Sequence, residues 1–176
     1  MGVLFMKRKL FLLMGFILIC SCLFVGCSSV SDSVIRIHIR ANSNSQVDQE
    51  IKLIVRDEIV EYITPIIEDC ASSIDVKNTL TDEISAIENI ANNTLESNGF
   101  DYRASVSIDN EFFPSRDYDG VTFPSDYYDA LIVRLGEGVG DNWWCVAYPP
   151  LCFVDNDNSA RVEYKSVLVE LIKKYF

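Results

Sequence analysis

In Val34-Ile35-Arg36-Ile37-His38-Ile39-Arg40, apolar and polar side chains alternate strictly from Ile35 onward. In an extended chain Ile35, Ile37 and Ile39 point one way and Arg36, His38 and Arg40 the other, the pattern of a half-buried strand with a polar outer face. Ala41 to Ser45 then reads as a turn, and Ser45 followed by Asp48 resembles a helix-capping box. From Gln46 the period lengthens. Val47, Ile51, Ile54, Val55, Ile59, Tyr62 and Ile63 recur at threes and fours and make one face of a helix apolar. Asp48 and Lys52 fall on the opposite side as an i,i+4 pair, with the acid N-terminal as preferred. Pro65 is expected to end or kink this helix near Ile63.

Outward from this strand–helix unit, a second helix is expected from about Asp75. Its apolar stripe is Val76, Leu80, Ile84, Ile87, Ala91 and Leu95, and Asn98-Gly99 supplies its stop. After Gly99 the period drops to two. Tyr102, Ala104, Val106 and Ile108 alternate with polar residues, Asp109-Asn110-Glu111 reads as a turn, and Pro114 makes the segment from Phe112 to Tyr118 an irregular edge piece. Ala130 to Leu135 is nearly all apolar and reads as a central strand. The loop Gly136 to Gly140 is expected to form a hairpin or bulge into a strand over Trp143 to Tyr148. A short helix is expected to close the chain between Val162 and Lys174. The fold class is therefore α+β: a mostly antiparallel sheet with two consecutive helices on one face, preceded by an N-terminal signal segment.

That segment is read from its first residues. Lys7, Arg8 and Lys9 precede an apolar run from Leu10 to Val25, and small residues surround Cys27. This is the layout of a secretory signal, and the run is short of the about 20 residues a spanning helix needs. Phe24-Val25-Gly26-Cys27 resembles a bacterial lipobox, so Cys27 is a candidate lipid attachment point. Conventional cleavage and an uncleaved anchor remain open beside it. The expected organisation is a signal over 1–26, a linker over 27–33 and one globular domain over 34–176. The formal charge is −11, and loss of the basic signal would leave the rest more acidic still. That balance argues against nucleic acid and against an anionic membrane surface.

The densest candidate stretch is Asn142 to Phe153, which holds Trp143, Trp144, Cys145, Pro149-Pro150 and Cys152. Adjacent tryptophans in a strand point to opposite faces. One can enter the core while the other offers a binding hot spot, or both can be covered. Cys145 and Cys152 form a candidate disulfide in an oxidising compartment, and two buried free cysteines are the alternative. A Cys145/His38 pair, oriented by Asn42, would make an envelope hydrolase, although no protease signature surrounds Cys145. No recognised zinc or EF-hand spacing is present. The glycine loop carries Glu137 and leads into a strand, which works against phosphate binding. No cofactor and no metal is expected.

Arg36 to Ser43 followed by Asp48-Gln49, Lys52 and Val55-Arg56-Asp57 resembles the first signature of the stage II sporulation protein R family. Phe113-Pro114-Ser115-Arg116, Tyr128-Asp129-Ala130-Leu131, Gly136 to Gly140 and Asn142 to Phe153 resemble its second. The likeness runs from about Val34 to Asp155. Arg40 and Asn44 depart from it, where an apolar residue and an acid are expected. The resemblance implies a non-enzymatic signalling protein of endospore formation, exported into the space between forespore and mother-cell membranes. Its implied partner is a membrane-embedded aspartic protease of the mother cell, which processes a sigma-factor precursor once activated. The family's motifs carry no catalytic roles to transfer. His38, Asn42, Arg56, Arg116, Trp143 and Trp144 are the expected partner-binding set, with Asn42 and Arg56 the most open to a scaffold role.

Overall fold

The computed structural model describes residues 30–118 and 121–150. The expected signal segment, Cys27, Cys152 and the closing helix lie outside the described residues. After a single 3-10 turn at Val30–Ser33, β1 spans Ile35–Arg40. Three helices follow: α1 Gln46–Ile67, α2 Ser73–Asp82 and α3 Ile84–Ser97. Then come β2 Ala104–Phe113, β3 Arg116–Tyr118, β4 Val121–Phe123, β5 Asp126–Leu135 and β6 Asn142–Tyr148.

The main sheet has the order β2-β5-β1-β6, and β3 and β4 form a separate ribbon. β2 with β5 and β1 with β6 are antiparallel, while β1 with β5 is parallel. The sheet is therefore mixed, with antiparallel ladders in the majority. The expected glycine hairpin is not one between neighbours in the sheet. β1 lies between β5 and β6, so the loop from Gly136 to Asp141 passes over the end of β1. β6 comes last in the order and pairs with β1.

Ile35, Ile37 and Ile39 meet Ile51, Val55, Ile59 and Ile63 of α1 and Leu80, Ile87, Ala91 and Leu95 of α2 and α3 in the larger core. Each such side chain contributes roughly 1.5–3 kcal/mol by leaving water. The other face of β1 is not open to solvent. Arg36 is 0% exposed and His38 4%, because a second cluster of Val34, Phe113, Phe123, Tyr128, Ala130, Ile132 and Val146 covers that side. The half-buried reading of β1 is thus corrected to a strand buried on both faces. The strict alternation identified the strand, but it could not show that aromatics from 80 residues downstream fold over its polar side.

α1 starts where Ser45 Oγ accepts the Asp48 N–H at 3.3 Å. It continues through Pro65 to Ile67, beyond the expected end. Ile63 and Ile67 are both buried, and this packing offsets the backbone bond that proline removes. Val47 and Ile54, read as part of the apolar stripe, are exposed, while Asp48 and Lys52 are buried and pair elsewhere. The second helix is two. It breaks at Glu83, whose carboxylate accepts from Tyr62 OH of α1 at 2.7 Å. No proline or glycine marks that break, because its partner comes from another helix. α3 ends as expected: Gly99 takes φ +80°, and its N–H and that of Phe100 reach Glu96 O and Leu95 O, both at 3.0 Å, which is a Schellman cap. The expected turn at Asp109 to Glu111 is instead the continuing β2 ladder, with Asp109 opposite Ala130 and Glu111 opposite Tyr128.

Candidate functional site

β6 displays its tryptophans on the two faces of the sheet. Trp143 lies opposite Ile39 and packs on the helix-side core, while Trp144 lies opposite His38 and packs on the aromatic cluster. Each ring carries an arginine. Arg56 of α1 places its Cζ 5.5 Å from the Trp143 centroid, and Arg116 of β3 places its Cζ 4.3 Å from that of Trp144. Contacts of this kind contribute about 0.5–1 kcal/mol at exposed sites and more when desolvated. The two pairs differ in charge. Arg56 is answered by its neighbour Asp57 at 2.6 Å. Arg116 forms no ion pair among the described residues.

Around Trp144 the polar side of β1 is built in. The His38 ring lies 5.5 Å from the Trp144 ring and 5.7 Å from that of Phe113. His38 Nδ1 is 2.8 Å from Glu111 Oε2, and Arg40 Nη2 binds the other oxygen of the same carboxylate. Burial pushes the His38 imidazole down to about 4. The Asn142 side chain opposes this, and Arg40 and Arg134 reinforce it. Glu111 in contact also favours the charged ring, so it tempers the shift without reversing the dominance of burial. At neutral pH the ring is neutral and Nδ1–H donates to Glu111.

Arg36 is the residue that sequence reasoning passed over. Its guanidinium sits among four rings, with Cζ 4.6 Å from the centroid of Phe113, 5.1 Å from Tyr128 and 5.5 Å from both Tyr118 and Phe123. Nε donates to Cys145 O at 3.0 Å and Nη2 to Tyr118 OH at 2.9 Å. Burial lowers its pKa, and among the described residues no carboxylate faces it. Arg36 thereby ties the backbone of β6, which carries both tryptophans, to β3, which supplies Arg116. The signal was the aromatic density of Phe112-Phe113, Tyr118, Phe123 and Tyr127-Tyr128.

Asn42 belongs to a different assembly. Its Nδ2 donates to Asp48 Oδ2 at 3.1 Å, and its Oδ1 accepts from Glu137 N at 3.0 Å. Asp48 also accepts from Ser43 Oγ and Tyr102 OH. Burial alone would raise the Asp48 carboxyl, but the hydrogen bonds from Ser43, Tyr102, Asn42 and Ser45 together hold it below its ordinary range. Lys52 Nζ reaches Asp141 O at 2.9 Å and Asn44 Oδ1 accepts Asp141 N at 2.6 Å. These bonds lace residues 42–52 to the glycine loop. The first signature thus builds the support for β6, and Asn42 takes part in that support.

The Cys145/His38 pair does not assemble. Cys145 lies opposite Ile37 and His38 opposite Trp144, so their side chains leave opposite faces of the sheet. Cys145 is also disulfide-bonded and offers no thiolate. Its expected partner, Cys152, lies outside the described residues. Among the described residues no cluster of three or more histidine, cysteine or acidic side chains could hold a metal, and no helix is long and apolar enough to cross a membrane.

Comparison with other proteins first places the chain among sporulation proteins. Residues 31–158 match the family described as stage II sporulation protein R, and the chain belongs to that family. It is 37% identical over 134 residues to stage II sporulation protein R of Bacillus subtilis (strain 168). The match takes in 76% of this chain and 60% of that protein, so the chain spans less than two thirds of its relative. No solved structure matches.

Proposed function

We propose that this protein is an exported, non-enzymatic signal of endospore formation. It acts in the space between forespore and mother-cell membranes, binds the extracytoplasmic side of a membrane-embedded aspartic protease, and favours that protease's active state. The protease then processes a sigma-factor precursor. Membership of the stage II sporulation protein R family carries this reading. The geometry supports it in one respect: Cys145, the candidate nucleophile, is bonded and turned away from His38, while Arg116 lies over Trp144 on the face away from the helices, a pair suited to recognition. Activation requires tighter binding to the active than to the inactive protease. The carboxylates that cut the peptide belong to the partner.

The test follows precursor processing in sporulating cells. Processing is expected to cease without this protein, to return with the full chain, and to stay absent when residues 1–26 are deleted. Processing that persists in cells lacking the protein would overturn the proposal.

A further inference from the structure

β2 is an outer strand of the main sheet, paired on one side only, with β5. Successive residues of an antiparallel edge strand turn their backbone groups alternately to the neighbour and away from the sheet. The hydrogen bonds of α3 show which residues turn away. Ala104 N–H donates to Asn92 Oδ1 at 2.9 Å, Asn92 Nδ2 donates back to Ala104 O at 3.5 Å, and Val106 N–H donates to Glu88 Oε2 at 3.1 Å. Side chains of α3 thus stand where a further strand would stand, and they stop at Val106. The β2–β5 register runs on unbroken to Phe113, so Ile108, Asn110 and Phe112 also turn their N–H and C=O groups outward. Among the described residues nothing bonds them there. Beside this open edge lie two rings that the helices leave exposed. Phe112 and Tyr127 stand opposite each other with ring centroids 5.6 Å apart, and they are 54% and 60% exposed. They share the helix side of the sheet with Ala104 and Val106, by the two-residue period. On the other side the exposed Asp109 accepts from Ser107 Oγ at 2.7 Å and forms no ion pair among the described residues.

We infer that the edge of β2 from Ile108 to Phe112 takes an extended, basic segment of the protein partner as a further strand of the sheet. Main-chain bonds to the outward groups hold it, and pockets for alternate side chains select it. An apolar residue of the segment lies against Phe112 and Tyr127, and its neighbour in sequence, a lysine or arginine, faces Asp109. A second copy of this chain fits the edge poorly. Symmetric antiparallel pairing about Asn110 would set Asp109 of each copy opposite Glu111 of the other, and like charges directly opposite destabilise a ladder. Pairing centred nearer Val106 meets the Glu88 side chain, and pairing centred on Phe112 runs into Pro114, which has no N–H to give. The formal charge of −11 likewise favours a basic segment over an acidic one. That the segment belongs to the membrane protease rests on the proposed function, but the chemistry of the edge does not.

The experiment measures binding of the full chain to the purified protease in detergent and to two acetylated hexapeptide amides, one alternating lysine with valine and the other glutamate with valine. Asn110→Pro removes an outward N–H without taking a bond from β5, and Asn110→Ala removes the same side chain while keeping that N–H. Circular dichroism confirms the fold of each. Asn110→Pro should weaken protease binding by about tenfold or more, whereas Asn110→Ala should bind as the wild type does. The lysine–valine peptide should slow amide hydrogen exchange at Ile108, Asn110 and Phe112 in the wild type, and the glutamate–valine peptide should not. Asp109→Lys should reverse that preference, and it carries the test if Asn110→Pro does not fold. If the wild type ignores the protease but the lysine–valine peptide protects these amides, the proposed function fails and the edge site stands. Protease binding that falls equally in Asn110→Pro and Asn110→Ala, or in neither, overturns the site. So does the absence of amide protection by the lysine–valine peptide. Dimerisation of the chain in ultracentrifugation that Asn110→Pro abolishes would give the edge to a second copy, and would also overturn it.

Discussion

The guanidinium of Arg116 lies 4.3 Å from the centre of the Trp144 ring, and the two residues belong to different sheets. This contact joins the β3–β4 ribbon to the last strand of the main sheet. Its contribution is measurable as a coupling energy. In a double-mutant cycle of Arg116→Ala and Trp144→Ala, followed by urea unfolding, the coupling should be about 0.5–1 kcal/mol. A coupling of zero would show that the two side chains stand together without holding each other.

Arg36 should behave as a buried cation held by rings. Arg36→Ala empties a large enclosed volume and leaves Cys145 O and Tyr118 OH with one donor fewer, so a loss of roughly 3–5 kcal/mol is expected. Arg36→Met fills most of that volume without a charge to desolvate, and should be the milder of the two by about 1 kcal/mol or more. Denaturant midpoints of the two variants check the order. Equal losses would place the energy in the hydrogen bonds alone.

His38 makes stability depend on pH. Its native pKa is depressed from 6.5 to about 4 by burial. Between those values the unfolded chain binds the proton and the folded chain does not, so stability falls as pH is lowered from about 6.5 towards 4. A shift of that size corresponds to roughly 3 kcal/mol as an upper bound, reduced by the favourable contact of Glu111 with the charged ring. Unfolding free energies at pH 7 and pH 5 should therefore differ more for the wild type than for His38→Gln, which cannot titrate. Parallel slopes in the two proteins would refute it. The Asp48 carboxyl acts in a lower window, because its depressed pKa withdraws stability as pH falls below about 4.

The glycines should rank by what a methyl group would meet. At Gly140 a Cβ would stand 2.2 Å from the backbone oxygen of Ser43, which cannot move without breaking the loop. At Gly136, with φ +56°, it would stand 2.2 Å from Asn42 Oδ1. Gly99, at φ +80°, faces open space. Gly99→Ala should cost about 1–2 kcal/mol from the left-handed backbone alone, and Gly140→Ala and Gly136→Ala should each cost more. Melting temperatures of the three variants settle the order.

Much of this fold was legible in local periodicity. The alternation over Ile35 to Arg40, the stripe from Ile51 to Ile63 and the Asn98-Gly99 stop all correspond to real elements, because each is governed by neighbours within a few residues. What escaped was decided at long range. Arg36 and His38 read as surface residues because nothing near them in sequence announces Phe113, Phe123 and Tyr128. The break at Glu83 depends on Tyr62 of another helix. The glycine loop looked like a hairpin because two strands flank it, but β1 had already taken the place between them. Of the expected recognition set, Trp144, Arg116 and His38 come together on one face. Trp143 and Arg56 pair on the other, and Asn42 supports the loop.

The pairing of β1 also orders events in time. Residues 35–40 find their partners at 129–134 and 142–148. A chain that emerges N-terminus first therefore presents a complete strand long before either neighbour exists. Its helices can form locally, but the central sheet waits for almost the last described residue. Contacts of such sequence separation close slowly, so the domain stays pliable until Asn142 to Tyr148 is free. Truncation within β6 would then be more damaging than its length suggests, since it removes the final piece that lets the first one settle.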